Sequence, residues 1–188
     1  MRIISGKLKG KTISFLKSSI TRPLKDSVKE SIFNIIIHSN LLNVSIKNSN
    51  ILDLYSGIGS FGLECISRGV EQVCFIENYD PSIKILNKNI EKLNCKIKTN
   101  IIKINVFKLD KISYDLENKF NLIYLDPPFK EKNINQLIDK IHKLKLLKYK
   151  GIIIIHRHKR TIDKFMNKFK IIRTEKYGTS KIIIGKFI

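Results

Sequence analysis

The chain is 188 residues long and 43% hydrophobic, which suits one domain, 1–188, with a sizeable core. Lys and Arg total 36 against 16 Asp and Glu, a formal charge of +20 that suits a polyanionic partner (RNA, DNA or an anionic membrane), although AT-biased coding also enriches lysine. No apolar run approaches the roughly 20 residues that span a bilayer, and the start MRIISGKLKGK lacks the apolar core of a secretory signal, so a soluble, cytoplasmic protein is expected.

In chain order, residues 1 to 20 alternate apolar and polar around Gly6 and Gly10 and predict a β-hairpin carrying Lys7, Lys9 and Lys11. After Thr21-Arg22-Pro23, Asp26 is placed to cap a helix with Val28, Ile32, Phe33, Ile35 and Ile36 on one broad face. From Asn50 strand and helix alternate: a strand at 51 to 55, a glycine loop, a helix ending near Arg68, and a strand at 72 to 77. Asp80-Pro81 then starts a helix through Ile83, Leu86, Ile90 and Leu93, and Ile101 to Ile104 form the next strand. A strand at 121 to 126, a helix near 132 to 148 and the apolar run 151 to 155 follow. A last helix is expected over Ile162, Phe165 and Phe169, before two β segments joined through Gly178-Thr179. The alternation implies a parallel sheet with crossover helices, and the closing antiparallel pair fits the methyltransferase variant of the doubly wound fold.

The segment Asp53-Leu54-Tyr55-Ser56-Gly57-Ile58-Gly59-Ser60-Phe61-Gly62 ends a strand, turns on glycines and opens a helix. Ligands of open α/β sheets bind at this edge, and a side chain at Gly57 or Gly59 is expected to hold the backbone away from one. Glu77, ending the next strand, is placed to meet both hydroxyls of a ribose. Alone, this pattern also fits a dinucleotide fingerprint. Asp53 tips the balance, because a carboxylate inside the strand end repels a pyrophosphate and suits a cofactor bearing an ammonium and a sulfonium.

The most specific signal is Asp126-Pro127-Pro128-Phe129 at the end of the fourth strand. An exocyclic base amine is a poor nucleophile because its lone pair is delocalised. The Asp126 carboxylate and the Pro127 carbonyl can each accept one of its N–H bonds and turn the lone pair toward a methyl donor. Pro127 and Pro128 stiffen the loop, and Phe129 offers a face on which an extruded base can stack. Cys65, Cys74 and Cys95 form no CxxC pair, so reduced thiols are expected, two of them in the core. His156 and His158 lack a third ligand at a recognisable spacing, and no metal is expected.

These segments, together with RIISGKLKGKTI, TRPLKDSVKESIFNII and the closing KYGTSKI, resemble the bacterial RsmD family of 16S ribosomal RNA guanine-N2 methyltransferases over nearly the whole chain. The resemblance implies a class I S-adenosylmethionine-dependent methyltransferase: a Rossmann-like, mostly parallel seven-stranded sheet with an N-terminal β-hairpin extension. It further implies S-adenosylmethionine as cofactor and 16S rRNA as partner, within a 30S subunit or an assembly intermediate, the family's target being guanine 966. Carried over by motif, the cofactor falls to Arg22, Pro23, Asp53, Tyr55, Gly57, Gly59, Glu77 and Asn105, where Asn105 stands in place of the family's Asp for the adenine amino group. Catalysis falls to Asp126, Pro127, Pro128 and Phe129. Lys29 stands where Arg is commoner, and His156 ends the fifth strand where an acid is expected. Arg157, Lys159 and Arg160 join Lys7, Lys9 and Lys11 as candidate RNA-phosphate contacts, the alternative for the first three being a merely solvated helix start. An adenine-N6 methyltransferase is the nearest alternative; a nicotinamide-dependent reductase and a catalytically silent RNA-binding module are disfavoured by the Asp-Pro-Pro-Phe motif.

Overall fold

Strands rich in Ile, Leu and Val with no polar alternation are those buried on both faces, and five such runs build the centre of this molecule. The structure is a computed structural model and describes residues 1–16, 24–40, 42, 44–116 and 120–188. Its elements are α1 (Asp26–His38), β1 (Asn50–Leu54), α2 (Ser60–Ser67), β2 (Gln72–Glu77), α3 (Asp80–Lys92), β3 (Thr99–Lys103), β4 (Phe120–Leu125), α4 (Ile134–Lys143), β5 (Leu147–His158), β6 (Phe169–Tyr177) and β7 (Ser180–Phe187). Short 3₁₀ segments occupy Lys96–Lys98 and Val106–Asp115, the second broken at Lys108.

The strands form one seven-stranded sheet in the order β3-β2-β1-β4-β5-β7-β6. β1 to β5 are mutually parallel, and β7 runs antiparallel to both its neighbours, β5 and β6. Side chains of alternate strand residues feed two cores. On one face Ile51, Phe75, Tyr124, Ile154 and Ile184 meet α1, α2, α3 and the N-terminal segment; on the other Leu52, Leu54, Ile123, Ile155 and Ile183 meet α4 and the second 3₁₀ segment. Strand order reverses between β1 and β4, which opens a crevice at their C-terminal ends.

The predicted hairpin is a single antiparallel bridge, Arg2 with Thr12, closed by Ile3 N–H to Lys11 O and Gly10 N–H to Ile3 O. Its remaining polar groups are spent on α2 rather than on a second strand: Ile4 and Ser5 donate their amides to the Glu64 carboxylate (2.7 and 3.0 Å), and Lys7 N–H reaches Ser67 O. Gly6, at φ +83°, packs so closely that a Cβ there would lie 1.9 Å from Ser67 O. Asn89 of α3 secures the outgoing strand, accepting from Ser14 N–H at 2.7 Å and donating to Ser14 O at 3.0 Å.

Other expectations shift. Asp26 and Asp80 are the first residues of their helices, not the caps, where their charge favours the positive helix end. The apolar positions Val28, Ile32, Phe33, Ile35 and Ile36 of α1 are all buried, as are all three cysteines, one more than expected. α4 stops at Lys143, because Lys145 adopts φ +49° and β5 begins at Leu147, before Gly151. No helix forms over Ile162, Phe165 and Phe169. Ile162 is 90% exposed, residues 161–166 are irregular, and Phe169 opens β6.

Candidate active site

β1 ends at Leu54, and Tyr55 and Gly57 then take left-handed backbone conformations (φ +58° and +54°) before Gly59 starts α2. The turn is tied to the neighbouring strand by Ser56 N–H to Ile76 O at 3.1 Å and Gly57 N–H to Glu77 Oε2 at 2.7 Å. A Cβ on Gly57 would meet nothing within 4 Å, so its backbone borders open space. Gly59 takes a left-handed backbone conformation (φ +83°) that strains any side chain, and a Cβ there would also lie 2.4 Å from Leu86 Cδ1 of α3.

A cavity of about 560 Å³ lies beside this turn at the C-terminal ends of β1, β2 and β4. It is lined by Asp53, Tyr55, Gly57, Glu77 and Asn105 of the expected cofactor set and by Asp126, Pro127, Pro128 and Phe129. Arg22 and Pro23 lie outside the described residues. Phe15 and Leu16, leaving the N-terminal bridge, line the cavity as well.

Four carboxylates line this space, those of Asp53, Glu77, Asp126 and Glu131. Glu77 is held by backbone amides, Oε2 by Gly57 and Oε1 by Asn78 and Tyr79 at 2.8 and 3.0 Å, which aims it from β2 into the crevice. Asp53 is 1% exposed and accepts Gly62 N–H at 3.0 Å. Burial pushes its carboxyl well above the ordinary range; the Gly62 amide opposes this, and the charges of Asp126 and Glu77 add to it. A cationic ligand would relieve that strain. Asp126, one residue past β4, accepts at Oδ1 from His156 Nδ1 across 2.8 Å.

Four hydroxyls add to the site: that of Tyr55, already among the expected cofactor residues, and those of Ser56, Ser60 and Ser82, which the sequence did not single out. The hydroxyls of Tyr55, Ser56, Ser60 and Ser82 are buried without a hydrogen-bond partner, and all four residues line the cavity. Burial also pushes the Tyr55 phenol upward, and the Glu131 charge adds to the shift. Serine is too common for sequence to mark the other three; their signal is the shared cavity. Asn105 presents its carboxamide at the rim, where Oδ1 accepts Phe107 N–H at 2.9 Å.

The motif loop is fixed from β5. Arg157, read from sequence as an RNA contact, is 2% exposed: its guanidinium pairs with Asp163 at 3.0 Å and donates to Glu131 O at 2.7 Å and Pro128 O at 3.5 Å. The reading is corrected, because a strand side chain pointing inward cannot reach phosphate, and the segment after it curls so that Asp163 can neutralise it. Residues 156–158 belong to β5 and are not a helix start. Lys159 and Arg160 are exposed. Phe129 packs edge-on against His158, with ring centroids 4.9 Å apart. Lys7, Lys9 and Lys11 are exposed, but the turn bearing Lys7 docks on Ser67, at the end of α2 opposite the glycine turn and about 12 Å from it.

With this geometry in hand, relatives can be compared. A family model described as Conserved hypothetical protein 95 matches residues 1–186. The chain belongs to this family, the RsmD family. Among RsmD-family relatives, the Bacillus subtilis protein YlbH, named as a candidate rRNA methyltransferase, is 29% identical over 187 residues, covering 99% of this chain and 98% of that protein. The ribosomal RNA small subunit methyltransferase D of Buchnera aphidicola subsp. Baizongia pistaciae is 32% identical over 168 residues, covering 88% and 80%. The solved structure of Escherichia coli yhhF, named as a candidate methyltransferase, superposes with a TM-score of 0.82 at 20% identity, covering 100% of this chain and 97% of that one. The RsmD-family fold here is that of the class I S-adenosylmethionine-dependent methyltransferases. The cavity fits that cofactor: four unpartnered hydroxyls and four carboxylates suit a ligand rich in hydroxyls and bearing positive charge. Among the described residues no cluster of metal-ligating side chains occurs, and no helix is long and apolar enough to cross a membrane.

Proposed function

We infer that this chain is an S-adenosylmethionine-dependent rRNA methyltransferase whose acceptor is the exocyclic N2 of a guanine in 16S ribosomal RNA, the family target being guanine 966. The observation that carries the reading is the placing of the Asp126-Pro127-Pro128-Phe129 loop and the glycine turn with Glu77 on one cavity at the strand-order reversal. One side suits a nucleoside-bearing cofactor and the other a planar base.

When bound, S-adenosylmethionine supplies an electrophilic methyl on a sulfonium. Glu77 takes the ribose hydroxyls, Asp53 the ammonium, and Asn105 the adenine edge, while Tyr55 and Gly57 border the ligand. Phe129 stacks the extruded guanine. Asp126 and the Pro127 carbonyl would each accept one N–H of the amine, so that its lone pair faces the methyl; as the nitrogen gains the methyl the methyl–sulfur bond would break, the neutral thioether would leave, and Asp126 would take the proton that the nitrogen gives up. Arg157 holds the loop by two of its carbonyls, so these acceptors are in place before the base arrives. Lys7, Lys9, Lys11, Lys159 and Arg160 contact RNA phosphates in a 30S subunit or an assembly intermediate in the cytoplasm.

The test is incubation with labelled S-adenosylmethionine and small subunits lacking the modification, followed by mass spectrometry of the nucleosides. N2-methylguanosine is expected; N6-methyladenosine would transfer the assignment to adenine, and an unlabelled product pool would sink it.

A further inference from the structure

His156 has both ring nitrogens engaged between two strands and the motif. Nδ1 lies 2.8 Å from Asp126 Oδ1, Nε2 lies 2.8 Å from Ser180 Oγ, and the residue is 2% exposed. We propose that His156 is a positioning residue whose Nδ1–H, locked by the Ser180 hydroxyl, fixes the orientation of the Asp126 carboxylate toward the substrate amine. This rests on the reading of Asp126 as an acceptor for an exocyclic amine.

The hydrogen-bond inventory sets the direction of the chain. A carboxylate only accepts, so the ring nitrogen facing Asp126 must donate; in a neutral imidazole the other nitrogen then accepts, and Ser180 O–H points toward it. Ser180 is itself 4% exposed and opens β7, paired in register with His158 of β5, so the hydroxyl is delivered by the antiparallel strand pair and not by a loop. The edge of the Phe129 ring faces His156 with centroids 6.1 Å apart, which leaves the imidazole little room to turn. Asp126 needs such a hold. It lies one residue beyond β4, its side chain is 18% exposed, and its own N–H donates to Leu54 O at 3.3 Å. The 2.8 Å bond from His156 sets the direction of Oδ1, and misplacement of an orienting acceptor by about 1 Å can cost on the order of a hundredfold in rate.

Two amide side chains separate the halves of this chain. Asn places its amide at the branch position of Nδ1 and can still donate to Asp126; Gln reaches the position of Nε2 and keeps only the Ser180 side. With modification-deficient subunits and saturating S-adenosylmethionine, His156→Asn should keep most of the wild-type kcat. His156→Gln and His156→Leu should lose about tenfold to a hundredfold, with KM for subunits and calorimetric cofactor affinity unchanged. Ser180→Ala should lose less than His156→Gln. A merely structural histidine would lower Tm in all variants alike without this ordering of kcat. Equal losses in Asn and Gln, or wild-type kcat in His156→Leu, would overturn the proposal. Independently of any substrate, ¹⁵N NMR of histidine-labelled protein should show His156 as the Nδ1–H tautomer, and an Nε2–H tautomer would overturn it too. If the wild-type protein methylates no exocyclic amine, the functional reading fails and the tautomer alone decides the inference.

Discussion

Two clusters of buried acid sit at opposite ends of α2, and they are built in opposite ways. Under the N-terminal bridge Glu64 is fully buried, and its oxygens meet Ile4 N–H, Ser5 N–H, Arg68 Nε at 2.9 Å and Lys29 Nζ at 3.7 Å. Lys29 in turn donates to Arg2 O at 2.9 Å, and although its burial lowers its pKa, Glu64 and Asp26 pull it back. At the other end Asp53, Glu77 and Asp126 share a cavity with four hydroxyls that have no partner. A saturated polar cluster joins pieces of the chain; an unsaturated one awaits something from outside. Buried polar groups are nearly always satisfied, so the place where several are not is where a ligand belongs.

The sharpest way to break this comparison is to remove the saturated acid. Glu64→Ala strands Lys29 and two backbone amides and should lower unfolding free energy by about 3–5 kcal/mol in urea titrations. Cofactor affinity of the remaining folded protein should hold, and a selective loss of affinity with stability intact would erase the distinction. On the unsaturated side, Asp126→Ala should cut turnover at least about a hundredfold while the fold and cofactor affinity stay; near-normal turnover would remove Asp126 from the chemistry.

Asp53 sharpens the comparison through pH. Its folded pKa lies above the ordinary value of 3.8, so the ligand-free folded chain binds this proton more tightly than the unfolded chain. The stability this lends is present at low pH and is lost as pH rises from about 3.8 through the raised folded value. Urea midpoints over a pH series should therefore fall less steeply in Asp53→Asn than in the wild type; parallel curves would show that Asp53 is not strained. The smallest effect is expected from neutralising Lys7, Lys9 and Lys11 together. RNA affinity measured over a salt series should show a slope shallower by up to roughly two units, at about 0.7 to 0.9 per lost phosphate contact, with cofactor affinity unchanged. Superimposable slopes would take this turn out of the RNA surface.

Most of the sheet was legible because its strands are unbroken apolar runs ended by Asp, Gly or Pro, and the Asp-Pro-Pro-Phe and glycine segments announce themselves by local spacing. What escaped was tertiary. Ile162, Phe165 and Phe169 have helical spacing, yet Asp163 is needed against the buried Arg157, and no periodicity reveals that demand. Arg157 itself looked like one basic residue among several; only the inward direction of its side chain separates it from Lys159 and Arg160. The bond from His156 to Asp126 spans 30 positions and joins two strands whose adjacency sequence alone does not reveal. The glycine spacing marks Gly59 without showing why it is needed: its left-handed backbone and the nearby Leu86 are seen only in the fold, so Gly59→Val should strain the turn itself and shift Leu86 as well.

The grip of Glu64 on Ile4 and Ser5 also bears on biosynthesis. Those amides belong to residues made 60 and 59 positions ahead of their acceptor. At about 5–20 residues per second, a growing chain carries them for roughly 3–12 s before Glu64 has been added. Through that interval the amides of Ile4 and Ser5 lack the acceptor that holds them in the finished fold. A nascent chain arrested before α2 should accordingly expose residues 1–16 to protease, and the chain through residue 188 should shield them.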